Sequence, residues 1–356
     1  MGRKTNFFLV FLLSILLNNE IVEGDSSVSG DVFMEGPFTV KALDMQTWGP
    51  SLDKSLLVAV PTLKGTYPVL LFLHSYVPLR NNFYWDFLHQ VASHGYIAVA
   101  PLLYDFTGWD CTQEMIDTAS ISDWLKVNLH LHFPAQLKAV VPDFDRFAIA
   151  GHGRGGKVAF GVALGLAAST AVKISALAGF DPVDGAGDRQ NPPTILTYSN
   201  TSLPLSIPAL IVGTGLGSKR TILLPACAPE RLGHDEFFNE SPAPAYHFVA
   251  SDYGVNDILN NELFWLPCLL CQCRIPLEPM RRFAAGVLVA FLRSAMEENG
   301  ETFEYILKNP AVAPVRLEPP QYKVLPDFVP PEAAIQQEPQ ILLVNGMDVS
   351  APDSAI

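Results

Sequence analysis

The sequence is short of positive charge: 23 Lys and Arg stand against 36 Asp and Glu, a formal net charge of −13. Its short basic pairs, Lys219-Arg220 and Arg281-Arg282, read as loop or helix-end charges. Without the clustered Lys and Arg that phosphate backbones require, a nucleic-acid partner is excluded. An apolar run fit to span a bilayer is missing from the N-terminus as well. The block from Phe7 to Leu17 falls short of the roughly 20 residues a membrane helix needs. Cysteine is scarce and odd in number, five in 356 residues, so an oxidising compartment would leave one unpaired. Cys268, Cys271 and Cys273 lie close together but have no partner pair, which falls short of a zinc site. A local disulfide or buried free thiols account for them, and neither metal nor cofactor is assigned. No internal repeat is visible.

What is present is apolar. At 49% hydrophobic the chain can bury a large core, which fits one domain of about 250 residues with tails. Arg3 and Lys4 precede the Phe7–Leu17 block, and small residues follow near Gly24. This is the layout of a secretory signal peptide over residues 1–24, with an uncleaved anchor as its competitor. A plastid transit peptide would be Ser- and Arg-rich and would lack the Leu/Phe block. The expected address is therefore the secretory pathway (extracellular, ER or vacuolar). Two glycosylation sequons fit that route, Asn200-Thr201-Ser202 and Asn239-Glu240-Ser241, the second weakened by Pro242.

Along the chain, short apolar runs alternate with helical spacing. Strands are expected over Val40–Leu43, Leu56–Val60, Val69–Leu73, Ile97–Ala100, Arg146–Ala150, Ile174–Gly179, Ala209–Gly213 and Tyr246–Ala250. Helices are expected over Phe83–Ser93, Met115–Leu131 (with Trp124 and Leu125 facing the core), Lys157–Ser169 and from Pro279 to Met296. The alternation predicts an α/β fold with a mostly parallel central sheet flanked by helices, occupying residues 25–308. From 309 to 356 frequent prolines predict a tail without regular structure, apart from an edge strand at Ile341–Val344.

One segment concentrates the chemistry. The apolar strand ending at Ala150 runs into Gly151-His-Gly-Arg-Gly-Gly156 and then a small-residue helix, the strand–turn–helix setting of a nucleophile elbow, G-x-S-x-G. Its centre is Gly153, not serine. The same residues satisfy G-x-G-x-x-G through Gly151, Gly153 and Gly156, with Asp181 after the next strand, which makes a nucleotide-binding module a formal alternative. Against that reading, about 110 residues of sheet precede the motif, whereas the fingerprint opens a domain's first βαβ unit.

Taken together, Pro68-Val-Leu-Leu-Phe-Leu-His74, Val91-Ala-Ser-His-Gly95, Gly151-His-x-Arg-Gly-Gly156, Asp181-Pro-Val-Asp-Gly185, His234-Asp-Glu-Phe-Phe-Asn-Glu240, Ala245-Tyr-His-Phe-Val249 and Glu278-Pro-Met-Arg-Arg-Phe283 resemble the chlorophyllases, plant esterases of the α/β-hydrolase fold. The resemblance runs from about Val32 to Lys308. It implies cleavage of the phytyl ester of chlorophyll to chlorophyllide and phytol, a step of chlorophyll catabolism. It also implies an elbow of the form Gly-His-Ser-Arg-Gly-Gly, an acid in the Asp-Pro-Val-Asp-Gly segment and a base in Asp-Tyr-Gly-His.

Carried onto this chain, Asp181 is the retained acid, Gly153 takes the nucleophile's position and Val255 the base's. Ser75 stands where the family has glycine after His74, on the oxyanion side of the elbow together with Arg154. Gly153 offers no Oγ and Val255 no ring nitrogen, so neither acyl-enzyme formation nor base catalysis is available from them. The expected partner is chlorophyll or another apolar ester or porphyrin ligand, with membrane contact only through that substrate. His152, His234 and His247 read as structural histidines. Ser75 and Ser251 are the candidates for a displaced nucleophile in an active esterase, the alternative to a catalytically impaired protein.

Overall fold

The computed structural model describes residues 31–47, 52–76, 79–221, 224–260 and 265–325. The residues read as a leader and those read as a late edge strand, Ile341–Val344, lie outside them. In chain order the strands are β1 (Val40–Gln46), β2 (Ser55–Pro61), β3 (Gly65–Leu73), β4 (Ile97–Pro101), β5 (Val140–His152), β6 (Ala176–Phe180), the short pair β7 (Gly185–Ala186) and β8 (Arg189–Gln190), β9 (Ala209–Thr214), β10 (Ala245–Ala250) and β11 (Gln321–Lys323). The helices are α1 (Trp85–Ser93), α2 (Thr112–Asn128), α3 (Arg154–Ala163), α4 (His234–Glu240), α5 (Trp265–Leu270), α6 (Glu278–Met296) and α7 (Glu301–Lys308).

Nine strands form one sheet in the order β1-β2-β4-β3-β5-β6-β9-β10-β11. The pairings from β4 through β10 are parallel, while β1, β2 and β11 add antiparallel edges. Successive side chains of a strand point to opposite faces, so a strand covered on both sides reads as an unbroken apolar run. In β3, Leu70 and Phe72 join a core with Phe87, Phe283 and Phe291 of α1 and α6. Val69, Leu71 and Leu73 join a second core with Leu125 of α2, Phe160 of α3 and Phe237 of α4. Leu125 is buried as expected, whereas Trp124 is only partly covered.

The departures from the sequence reading have local causes. The helix expected to reach Ser169 stops at Ala163, because Gly165 adopts φ +68 and ends it. The Leu166 N–H reaches the Gly161 carbonyl and the Gly165 N–H that of Val162, the paired bonds of a Schellman termination. The proline-rich tail begins later than residue 309. Gln321–Lys323 pairs antiparallel with β10, and its Lys323 ammonium donates to the carbonyls of Phe238, Asn239 and Ser241 at the end of α4. Prolines at 310, 314, 319 and 320 do not prevent this, since an edge strand pairs on one side only. Among the described residues no helix is long and apolar enough to cross a membrane.

The cysteines resolve into disulfides Cys227–Cys271 and Cys268–Cys273, leaving Cys111 free and buried. The close triplet is thus divided between a local bridge and a longer-range one, and supplies no thiolate cluster.

Candidate active site

The residues singled out from the sequence converge at the C-terminal ends of adjacent parallel strands, where open α/β sheets carry their ligands. His74 and Ser75 follow β3, Gly153 follows β5, Asp181 follows β6 and Val255 follows β10. At the elbow Gly153 has φ +53 and ψ −117, a conformation glycine adopts without the strain a Cβ would bring. Its N–H bonds the Phe180 carbonyl at 2.8 Å, which fixes the turn against β6. A Cβ placed on Gly153 would overlap the Ser75 hydroxyl. Two departures from the family pattern, serine at 75 and glycine at 153, thus meet in space. The Ser75 side chain takes the room that a nucleophile's side chain would need.

The loop beneath is held by a short polar chain. The Ser75 N–H donates to the Tyr84 hydroxyl at 3.1 Å, and that hydroxyl lies 2.7 Å from His152 Nδ1. His152 is fully buried. Burial holds its pKa down at about 4, so the ring is neutral near pH 7. His74 is likewise pushed to about 4 by burial, with Nδ1 2.8 Å from the Ser75 carbonyl and Nε2 accepting from the Leu103 N–H at 3.1 Å.

Arg154 lies beside the elbow but directs its guanidinium elsewhere. It pairs with both Glu114 oxygens, at 2.8 and 3.0 Å, and donates to the carbonyls of Trp109 and Asp110. The loop before α2 is thereby tied to the start of α3. Two glycines of the apparent dinucleotide fingerprint serve internal packing: a Cβ on Gly151 would strike the Gly155 carbonyl, and one on Gly156 would crowd Pro182.

Asp181 is 2% exposed and accepts from the Thr214 N–H at 2.9 Å and the Thr214 hydroxyl at 2.8 Å. Desolvation raises its pKa to about 7, outweighing the two Thr214 hydrogen bonds that pull the other way. It is one of four non-glycine residues with positive φ among those described, at +41, a strain that active-site loops commonly store. Among the described residues no imidazole is hydrogen-bonded to it. Val255 begins a short 3₁₀ turn and packs with Val183, Ala228 and Leu232. Ser251, the other candidate for a displaced nucleophile, does not line the pocket at the elbow; its N–H bonds the Arg316 carbonyl.

That pocket has a volume of about 390 Å³ and is bounded by Ser75, Tyr76, Trp109, Gly153, Val183 and Val255, among others. Such a size suits an apolar ligand arm. Tyr76 and Trp109 stack at its rim with ring planes 5° apart. Beneath it Lys157, 2% exposed, pairs with the fully buried Asp184 at 2.9 Å. Lys157 also donates to the Asn191 carbonyl. Asp184 in turn accepts from the N–H groups of Ile195 and Leu196. This network was not legible beforehand, because a lysine in a small-residue helix carries no mark of burial.

A central, mostly parallel sheet with helices on both faces and a sharp strand–turn–helix elbow at its C-terminal edge defines the class: an α/β-hydrolase fold. The Chlorophyllase family model matches residues 28–324, and the chain belongs to the chlorophyllase family. It is 46% identical over 256 residues to Chlorophyllase-2 of Arabidopsis thaliana, covering 70% of this chain and 79% of that one. Chlorophyllase-1 of the same plant is 41% identical over 274 residues, 75% and 83% of the two chains. The Citrus unshiu protein named Chlorophyllase-1, chloroplastic, is 36% identical over 303 residues, 82% and 88%. The last name corrects the expected secretory address, since Citrus relatives point to the plastid. A charged start followed by an apolar block is too generic a pattern to distinguish the two routes.

Proposed function

We propose that this protein is a chlorophyllase homologue that binds an apolar ester or porphyrin ligand of the chlorophyll kind without hydrolysing it by the family's serine mechanism. The observation that carries this reading is the elbow itself. Gly153 supplies no Oγ, the Ser75 hydroxyl takes up the adjoining space, and the position assigned to the base is the apolar Val255. A serine attacks an ester only after a base takes its proton, and a carboxylate must orient that base. Among the described residues the carboxylate of Asp181 accepts side-chain and backbone hydrogen bonds from Thr214 and none from an imidazole. The pocket, by contrast, keeps an apolar wall and a stacked aromatic rim.

A second reading rests on one observation, that Ser75 lies at the elbow and lines the pocket. In it Ser75 is a displaced nucleophile.

One set of measurements separates the two. The purified protein should turn over neither chlorophyll nor p-nitrophenyl esters above a buffer blank, take no fluorophosphonate label, and still quench Trp109 fluorescence on titration with a chlorophyll ester. The triple variant Ser75→Gly/Gly153→Ser/Val255→His should gain both labelling and turnover. Labelling of the parent at Ser75 would establish the second reading and end the first.

A further inference from the structure

A second cavity, of about 240 Å³, opens beside the N-terminus of α4 and is lined in part by Thr214, Glu230, His234, Asp235 and Glu318. Two side chains on its wall, His234 and Asp235, meet a third, His247, which is buried behind them. His234 and Asp235 are the first two residues of α4, and His247 lies on β10. His234 Nδ1 is 2.9 Å from His247 Nε2, and Asp235 Oδ1 is 3.5 Å from the former and 4.0 Å from the latter. All three donor atoms fall within 4.8 Å of one another.

We propose that His234, Asp235 and His247 form a binding site for a divalent transition-metal ion of the zinc class, with a fourth position facing the cavity. Two imidazoles and a carboxylate are donors that such ions take. Bonds of about 2.1 Å in tetrahedral array put donors roughly 3.4 Å apart. The Asp235–His234 spacing already meets that value. The two imidazoles need to part by about half an ångström and the Asp235 oxygen to close on His247 by a similar amount, exchanging one N–H···N bond for two metal bonds.

The surroundings are built for this. His247 Nδ1 lies 3.0 Å from Gln321 Oε1, an amide oxygen that can only accept. The ring proton is therefore on Nδ1, and the Nε2 lone pair faces the cluster. An outer partner that fixes the tautomer of a ligating histidine is the usual accompaniment of a metal site. His234 lies flat over Gly213, where a Cβ would overlap its ring. On binding, its proton moves from Nδ1 to Nε2, so both rings stay neutral and no proton is lost. Asp235, Glu230 and Glu318 outnumber Lys219 as charges on the cavity wall, which favours a cation. Because Gln321 comes from β11, an ion here would also fasten the C-terminal strand to the sheet.

The test uses the full chain under non-reducing conditions, so that four of the five cysteines stay oxidised. The protein is stripped with a chelator, dialysed against zinc and analysed for bound metal, and cobalt is substituted for its visible spectrum. We expect about one zinc per chain, and four-coordinate cobalt bands without a thiolate charge-transfer band. Gln321→Ala should weaken binding 10- to 100-fold, as loss of an outer partner does. Asp235→Asn should weaken it at least as much. Asp235 is largely exposed, so that variant folds even if His247→Ala does not. Less than a tenth of an equivalent of zinc, affinity unchanged in both variants, or a thiolate band pointing to Cys111 would each overturn the proposal.

Discussion

Ser75 and Gly153 are separated in sequence by β4 and β5 and adjoin in the fold. Their contact makes the replacements interdependent. A serine restored at 153 alone meets the Ser75 hydroxyl and a backbone at φ +53. We expect Gly153→Ser by itself to be inactive and destabilised by about 1–3 kcal/mol, by urea denaturation, with Ser75→Gly recovering much of the loss.

Asp181 gives the residue scale a pH signature. Its folded pKa of about 7 lies above the ordinary carboxylate value of 3.8. Below pH 4 the group is protonated in both states. Between about 4 and 7 the folded protein holds a proton that the unfolded chain has released, so this contribution to stability is lost as pH rises. Asp257, raised to about 7 by burial, acts in the same sense. His74 and His152 act in the opposite one, because the unfolded chain binds protons there from 6.5 downward while the folded protein waits until about 4. The wild-type profile is thus a sum of opposed terms, and the difference from a variant isolates one. Asp181→Asn should gain stability relative to the wild type between pH 4.5 and 7.5, by at most about 4 kcal/mol. A flat difference would show that Asp181 titrates normally.

At the scale of elements, α3 depends on a charge that its sequence conceals. Lys157 joins α3 to the segment after β6 through Asp184, and both are removed from water. Removing one partner of a buried pair leaves an uncompensated charge. Lys157→Met is therefore expected to cost about 3–5 kcal/mol, while replacing both residues by apolar ones of similar size costs less. Thermal unfolding of the single and double variants measures the contrast.

For the molecule as a whole, the sheet is completed by residues that the proline content assigned to a tail. Truncation after Pro320 removes β11, the three Lys323 hydrogen bonds at the end of α4 and the Gln321 contact to His247. The expected loss is about 1–3 kcal/mol, or roughly 2–4 °C in Tm for each kcal/mol. A truncated protein that melts with the full chain would show that β11 contributes nothing.

The sequence by itself determined the class of fold, because strands covered on both faces must be apolar throughout, and runs such as Val69–Leu73 and Phe147–Ala150 state this directly. It also determined that the elbow has no hydroxyl of its own, a fact of composition that no folding can alter. Element ends were less legible: α3 stops where Gly165 turns left-handed, and composition alone permitted it to continue. What only the tertiary structure decided is which residues became neighbours. Ser75 beside Gly153, Lys157 under Asp184, His234 against His247 and Cys227 joined to Cys271 each link positions that lie far apart or look unremarkable in the chain. Strand order sets those neighbours, and strand order follows from how the two cores close over the sheet rather than from any local pattern.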